Sequence, residues 1–186
     1  MSRIANFSIA LILLIFLLIP ILIIGLILLF SSKDPIFYWS DRVGKNSIIF
    51  SMPKFRTMHL NTPEVATHSL KNPDVFVTRV GSFLRKTSLD ELPQIWSVLM
   101  GEMNLVGPRP ALFNQQDLIE LRINEGVHKL VPGITGWAQV NGRDELSLSD
   151  KVKLDVEYMS QKSFFFDIKI IWMTLFKSLS QDKISH

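Results

Sequence analysis

The chain has 186 residues, 47% of them apolar, which suits one compact domain with an accessory element and argues against two large domains. Its formal charge of +3 comes from 20 Lys and Arg against 17 acids; setting aside Arg3, the one charged residue in 1–30, leaves 19 against 17, without the basic stripe of a nucleic-acid binder. With no Cys, a disulfide framework, a thiolate nucleophile and a cysteine zinc site are excluded.

The first predicted element is apolar. Ile9 to Phe30 is a run of 22 residues without a charge. As a helix it extends roughly 33 Å, enough to cross a bilayer core. It is long for a signal peptide, and Ser31, Ser32 and Lys33 fit a cleavage site poorly. Pro20, near the middle, removes an amide donor and crowds the preceding turn at about 3 kcal/mol, which predicts a break or kink. A kinked spanning helix and a re-entrant hairpin both satisfy that constraint. Arg3 before the run and Lys33, Arg42 and Lys45 after it favour cytoplasmic flanks at both ends.

Asn46 to Met58 begins β-prone and apolar, meets Pro53, and then carries Lys54 and Arg56 two residues apart, on one face if extended. An exposed basic strand edge is the plain explanation of that pair. Residues 59–75 are polar, contain Pro63 and Pro73, and read as a loop in which His59 and His68 are solvated rather than metal-bound. Leu92, Ile95, Trp96 and Leu99 have helical spacing, with Gly101 as a stop. Pro93 belongs in a first turn, so this helix should begin around Asp90 to Leu92.

In GPRP, residues 107–110, the flanking prolines restrict Arg109 to an extended backbone that holds its guanidinium out. A helix across roughly 112–125 leads into PGITGWAQVNGR, whose glycines and Asn-Gly pair mark tight turns. Leu148, Val152, Val156 and Met159 then form one helical face with Asp155 among them. A carboxylate there points inward and must meet a cation or metal, in a structural salt bridge or a catalytic role. Residues 164–177 are apolar around most of a helix. Such a segment lies in a membrane interface, with Trp172 anchoring and Lys snorkelling, or is an ordinary buried C-terminal helix.

The chemistry-bearing residues cluster in TSLDELPQ. On those residues alone capping is the leading explanation: Ser88 and Glu91 fit a capping box and Asp90 an N-cap. Against it, a carboxylate at a helix N-terminus stays ionised and available as a nucleophile, and the same amide-rich end accepts phosphate. Lys54, Arg56, Arg85, Arg109 and Arg143 lie in or beside turn-rich segments and are phosphate-binding residue types. A pyrophosphate substrate commonly brings magnesium held by one or two carboxylates. The sequence contains neither a Walker loop nor a Gly-x-Ser-x-Gly elbow.

Taken together, KFRTM (54–58), SLDELPQ (88–94), LVGPRPAL (105–112) and PGITGWAQVNGRDELS (132–147) resemble, in order and spacing, the bacterial sugar transferase family of small monotopic phosphoglycosyl transferases. The likeness covers nearly the whole chain. It implies an α+β, mainly α fold: a re-entrant helix-break-helix over 1–32, then a cytosol-facing catalytic domain over 33–186 with interfacial helices and a short β element. It also implies a bacterial inner-membrane enzyme that moves a sugar 1-phosphate from a UDP-sugar to undecaprenyl phosphate, the N-acetylated amino sugars being the expected donors. By motif match Asp90 is the nucleophile and Glu91 an acid/base group, with both as Mg2+ contacts. The resemblance further implies that Lys54, Arg85, Arg109 and Arg143 neutralise phosphates or hold the nucleotide and that Asp155 joins the substrate-binding set. One departure is Ile19 before Pro20, where the family commonly has a small polar Ser. The rival readings are a membrane-anchored scaffold without catalysis and a hydrolase of pyrophosphate-linked substrates.

Overall fold

The computed structural model describes residues 1–31, 34–63, 75–142 and 145–179. Helix α1 spans Arg3–Ser31. It continues through Pro20 as one element, so the predicted interruption is a missing amide donor within a helix and not a boundary between two. Most of its middle is exposed apolar surface, including Leu11, Ile15, Phe16 and Ile19.

Both ends of α1 pack on the rest of the chain. Near the start, the Arg3 guanidinium donates to the carbonyls of Val98 (2.6 Å) and Leu99 (2.8 Å), and buried Asn6 Oδ1 accepts from the Leu105 amide at 2.9 Å. Near the finish, Ile24 and Leu28 join a small apolar cluster with Phe55 and Leu84. Between these ends Ala10 is fully buried, but the turns from Leu11 to Ile19 are mostly exposed, which suits a surrounding that is itself apolar.

Strands β1 (Phe37–Val43) and β2 (Ile49–Phe55) form an antiparallel ribbon with Tyr38 opposite Lys54 and Arg42 opposite Phe50. Helix α2 (Arg79–Lys86) is capped by the Thr78 hydroxyl, which accepts from the Gly81 amide at 2.9 Å. A 3-10 turn, Leu89–Gln94, runs directly into α3 (Ile95–Met100). Gly101 ends α3 at φ 89°, as its stop position predicts.

Strands β3 (Asn104–Val106) and β4 (Gly133–Thr135) form a short parallel pair. Helix α4 spans Gln116–Asn124, later than predicted. The residues before it dock on β1 instead: the Val43 amide donates to Ala111 O at 2.9 Å and the Phe113 amide to Asp41 O at 3.3 Å. Helices α5 (Trp137–Val140), α6 (Leu148–Gln161) and α7 (Phe164–Leu179) complete the fold. The main core gathers Ala10, Met52, Ile95, Val98, Met103, Leu105, Tyr158 and Ile170 from α1, β2, α3, the α3–β3 connection, β3, α6 and α7. Helix α7 is not an ordinary buried helix, because it buries Asp167 and Ile170 yet exposes Phe165, Ile168, Trp172 and Phe176.

Candidate active site

The Leu89–Gln94 turn carries Asp90 and Glu91 to where β2 and the GPRP segment converge. Glu91 Oε1 accepts from Lys54 Nζ at 3.0 Å and from Arg109 Nη2 at 2.7 Å. Lys54 arrives from β2 and Arg109 from between its two prolines, so three distant segments meet at one carboxylate. Asp90 faces the same cations, with Lys54, Arg85 and Arg109 all acting on its carboxylate.

The capping explanation does not hold. Ser88 sits in the left-handed region at φ 56° and its side chain makes no cap hydrogen bond. The Glu91 side chain is turned to the cations, and the Ser88 amide donates to Arg85 O instead. A non-glycine residue at positive φ costs on the order of 1 kcal/mol or more and persists where the surroundings impose it. The chain that follows sends Leu89 to the apolar cluster of Phe55 and Leu84 and sets Asp90 and Glu91, two and three residues on, among the cations.

Charge and burial act differently on the two acids. Burial pushes the Asp90 carboxyl above its ordinary range; Lys54 then works against that shift and the Glu91 charge reinforces it. Burial alone would raise Glu91 too, but the charges and hydrogen bonds of Arg109 and Lys54 outweigh it and hold Glu91 well below the usual carboxylate range. Glu91 is therefore a fixed anion that organises cations, whereas Asp90 is the more basic of the pair. Burial also lowers Lys54, with the Glu91 charge opposing the shift and the Arg109 charge adding to it.

Arg42 belongs to this group, although in the sequence it reads only as a charge flanking the membrane run. Its Nε donates to Ser40 Oγ at 2.9 Å and its Nη1 to Pro110 O at 3.2 Å. Burial, followed by the Arg109 charge, brings its pKa down to about 10. The signal available in the sequence was the two-residue strand period, which sets Ser40 and Arg42 on one face of β1.

Other expected residues are placed elsewhere. Arg56 is engaged outside the cluster, with its Nε on Pro35 O (2.9 Å), its Nη2 on Phe37 O (3.3 Å) and its guanidinium over the Tyr38 ring. Asp155 is not brought to the cluster as a substrate contact: it is 1% exposed and its Oδ2 accepts from Arg122 Nε (3.0 Å) and Nη2 (2.7 Å). Burial raises its pKa and Arg122 opposes the shift. His59 is exposed, as expected of a solvated side chain, while Arg143 and His68 lie outside the described residues.

As for a metal, no group of three or more His, Cys, Asp or Glu side chains suited to one exists among the described residues. The adjacent Asp90 and Glu91 carboxylates fit the smaller protein share that an ion largely coordinated by substrate phosphates requires. The assembled chemistry is a basic carboxylate within a cationic enclosure, apt for attack on a polyanionic phosphorus centre.

A family model described as "Bacterial sugar transferase" matches residues 1–181. The chain belongs to the bacterial sugar transferase family. Among related sugar transferases, the Escherichia coli (strain K12) "UDP-glucose:undecaprenyl-phosphate glucose-1-phosphate transferase" is 45% identical over 83% of this chain and 35% of its own length. "Undecaprenyl-phosphate glucose phosphotransferase" of Komagataeibacter xylinus is 40% identical over 82% of this chain and 31% of its own. The chain thus spans about a third of the length of these two curated relatives. "Uncharacterized sugar transferase EpsL" of Bacillus subtilis (strain 168) is 42% identical over 81% of this chain and 73% of its own.

Proposed function

We propose that this bacterial sugar transferase moves a sugar 1-phosphate from a UDP-sugar to undecaprenyl phosphate, through a covalent intermediate on Asp90. The observation that carries the reading is the basic Asp90 carboxylate set against Lys54, Arg85 and Arg109, with Glu91 locking two of those cations in place. Relatives named for sugar 1-phosphate transfer to undecaprenyl phosphate support it.

In the first step an Asp90 oxygen attacks the β-phosphorus of the donor. An oxygen–phosphorus bond forms, the bond to the bridging oxygen breaks, and UMP leaves with that electron pair. In the second step a phosphate oxygen of undecaprenyl phosphate attacks the same phosphorus, and the Asp90 carboxylate departs. Burial makes Asp90 more basic than an ordinary carboxylate, which strengthens it as a nucleophile. Lys54, Arg85, Arg109 and Arg42 spread the charge of the phosphates, and Arg143 is assigned to the same task by its motif. Mg2+ held by Asp90 and Glu91 would neutralise further phosphate charge.

The membrane arrangement is proposed on the packing of α1. A straight span would set its two ends across a bilayer core of roughly 30 Å, yet Arg3 and Leu28 both contact the same globular body. This supports a monotopic helix, bent at Pro20 and not broken there, with both ends on the cytoplasmic face of the inner membrane and the exposed apolar face of α7 in the interface. A lipid phosphate then reaches the cations while its tail stays in the leaflet.

The test is incubation with Mg2+, undecaprenyl phosphate and a panel of UDP-sugars led by N-acetylated amino sugars and UDP-glucose. The expected products are UMP and a lipid-linked diphosphosugar. Without acceptor, UMP release should stop at one equivalent, leaving the phosphosugar on Asp90. Free sugar phosphate with no lipid product would make the protein a hydrolase, and no UMP from any donor would favour a scaffold.

A further inference from the structure

The GPRP segment has an unusual backbone problem. Pro108 and Pro110 have no amide hydrogen, so their backbones are held chiefly through carbonyl oxygens. All three carbonyls from Pro108 to Pro110 have a donor: Pro108 O accepts from the Gly133 amide at 2.9 Å, Arg109 O from Arg122 Nη1 at 2.7 Å, and Pro110 O from Arg42 Nη1 at 3.2 Å. The first contact depends on close approach, since a Cβ at Gly133 would lie 2.0 Å from the Gly107 nitrogen.

The middle contact is the most constrained. Arg122, on α4, is fixed by its Nε and Nη2 on Asp155 Oδ2, and Asp155 is buried on α6. The two helices are tied by Leu118 and Val152 packing with Ala111, which follows the GPRP segment. An ion pair serving only to neutralise Asp155 would need no further partner. Here the remaining Arg122 nitrogen is aimed at the carbonyl of the residue whose own guanidinium meets Glu91.

We propose that Arg122, held by Asp155, is a positioning residue for Arg109: it fixes the Arg109 peptide and thereby sets where its guanidinium meets the donor's diphosphate. The proposal rests on the transferase reading above. It gives Asp155 a part in the site without substrate contact, two links removed from the phosphates.

The test is a double-mutant cycle on the full chain in nanodiscs, read both as kcat/KM for UMP release and as affinity for UDP. Arg122→Lys keeps the charge but cannot hold both Asp155 and the Arg109 carbonyl; Asp155→Asn loosens Arg122 while still accepting one hydrogen bond. Each should lower kcat/KM by roughly 10- to 100-fold, mainly through a higher KM, as expected of ångström-scale misplacement, with thermal unfolding still cooperative. In an Arg109→Lys background the same changes should cost no more than about 3-fold, because residues acting through one another are not additive. Full multiplication of the effects, or unchanged kinetics in Arg122→Lys, would overturn the proposal. A wild type that binds UDP but releases no UMP sinks the transferase reading instead, and the cycle in UDP affinity still decides the role of Arg122.

Discussion

Replacing Asp90 with Asn should abolish transfer and, at the same time, make the fold more stable. The Asp90 carboxyl is raised by burial despite three neighbouring cations, so its ionised form is worse placed in the folded chain than in water. A group with a raised folded pKa contributes stability that is complete below its unfolded value, here 3.8, and is lost as pH rises through the folded value. At neutral pH the wild type therefore carries a cost that the amide does not.

Relieving such a functional group commonly yields on the order of 1 kcal/mol, and for a chain of this size that shifts Tm by about 2–4 °C. Turnover should fall by roughly 10⁴-fold or more, the scale on which removing a covalent nucleophile acts. The assay is thermal unfolding in nanodiscs with EDTA, from pH 4 to pH 8, beside UMP release at neutral pH. The Tm advantage should be present at pH 7 and shrink as pH falls toward 3.8. A lower Tm at neutral pH would refute the burial reasoning, and retained turnover would remove Asp90 from the chemistry.

Glu91→Gln should act in the opposite direction on stability. It leaves Lys54 and Arg109 without their shared anion, and because these side chains keep 13% and 32% exposure the loss should fall below that of a fully buried pair, at about 2 kcal/mol. Since Glu91 is depressed, its contribution is present above 4.5 and lost as pH falls through its folded value, so the acid limb of the Tm profile should flatten in the variant. For Lys54, the lowered pKa predicts that kcat/KM declines on the alkaline side before an ordinary lysine at 10.5 would titrate. Lys54→Arg should move that decline to higher pH, and an unmoved pH–rate profile would exclude Lys54 as its origin. Gly101→Ala forces a side chain onto φ 89° with its Cβ 2.6 Å from Arg3 Nη2. We expect a loss of about 1–2 kcal/mol and a Tm lowered by several degrees; a Tm within 1 °C of wild type would contradict the Arg3 clamp.

Periodicity and turn chemistry made much of the architecture legible in advance: the apolar α1, the Gly101 stop, and α6 with Asp155 facing inward. These features are local, depending on spacing and on residues with restricted or permissive backbones, so a linear pattern carries them. The motif order also named Lys54, Arg85, Asp90, Glu91 and Arg109, which the fold brings together. Local rules failed where two chemically sound uses of one side chain competed. Ser88 and Glu91 spell a capping box, but Lys54 and Arg109, 37 and 18 residues away, offer Glu91 charged donors that outcompete a backbone amide.

Arg42, Arg56 and Asp155 show the same limit. In the sequence Arg42 is a flanking charge, Arg56 a phosphate-binding type and Asp155 an inward carboxylate in need of a cation, and only the packing sends Arg42 to Pro110, Arg56 to Pro35 and Asp155 to Arg122. Residue type and local spacing thus determined the helices, the stops and the stock of charges. Which charges meet was decided by the tertiary structure, because an ion pair depends on distance and burial set by segments far apart in the chain.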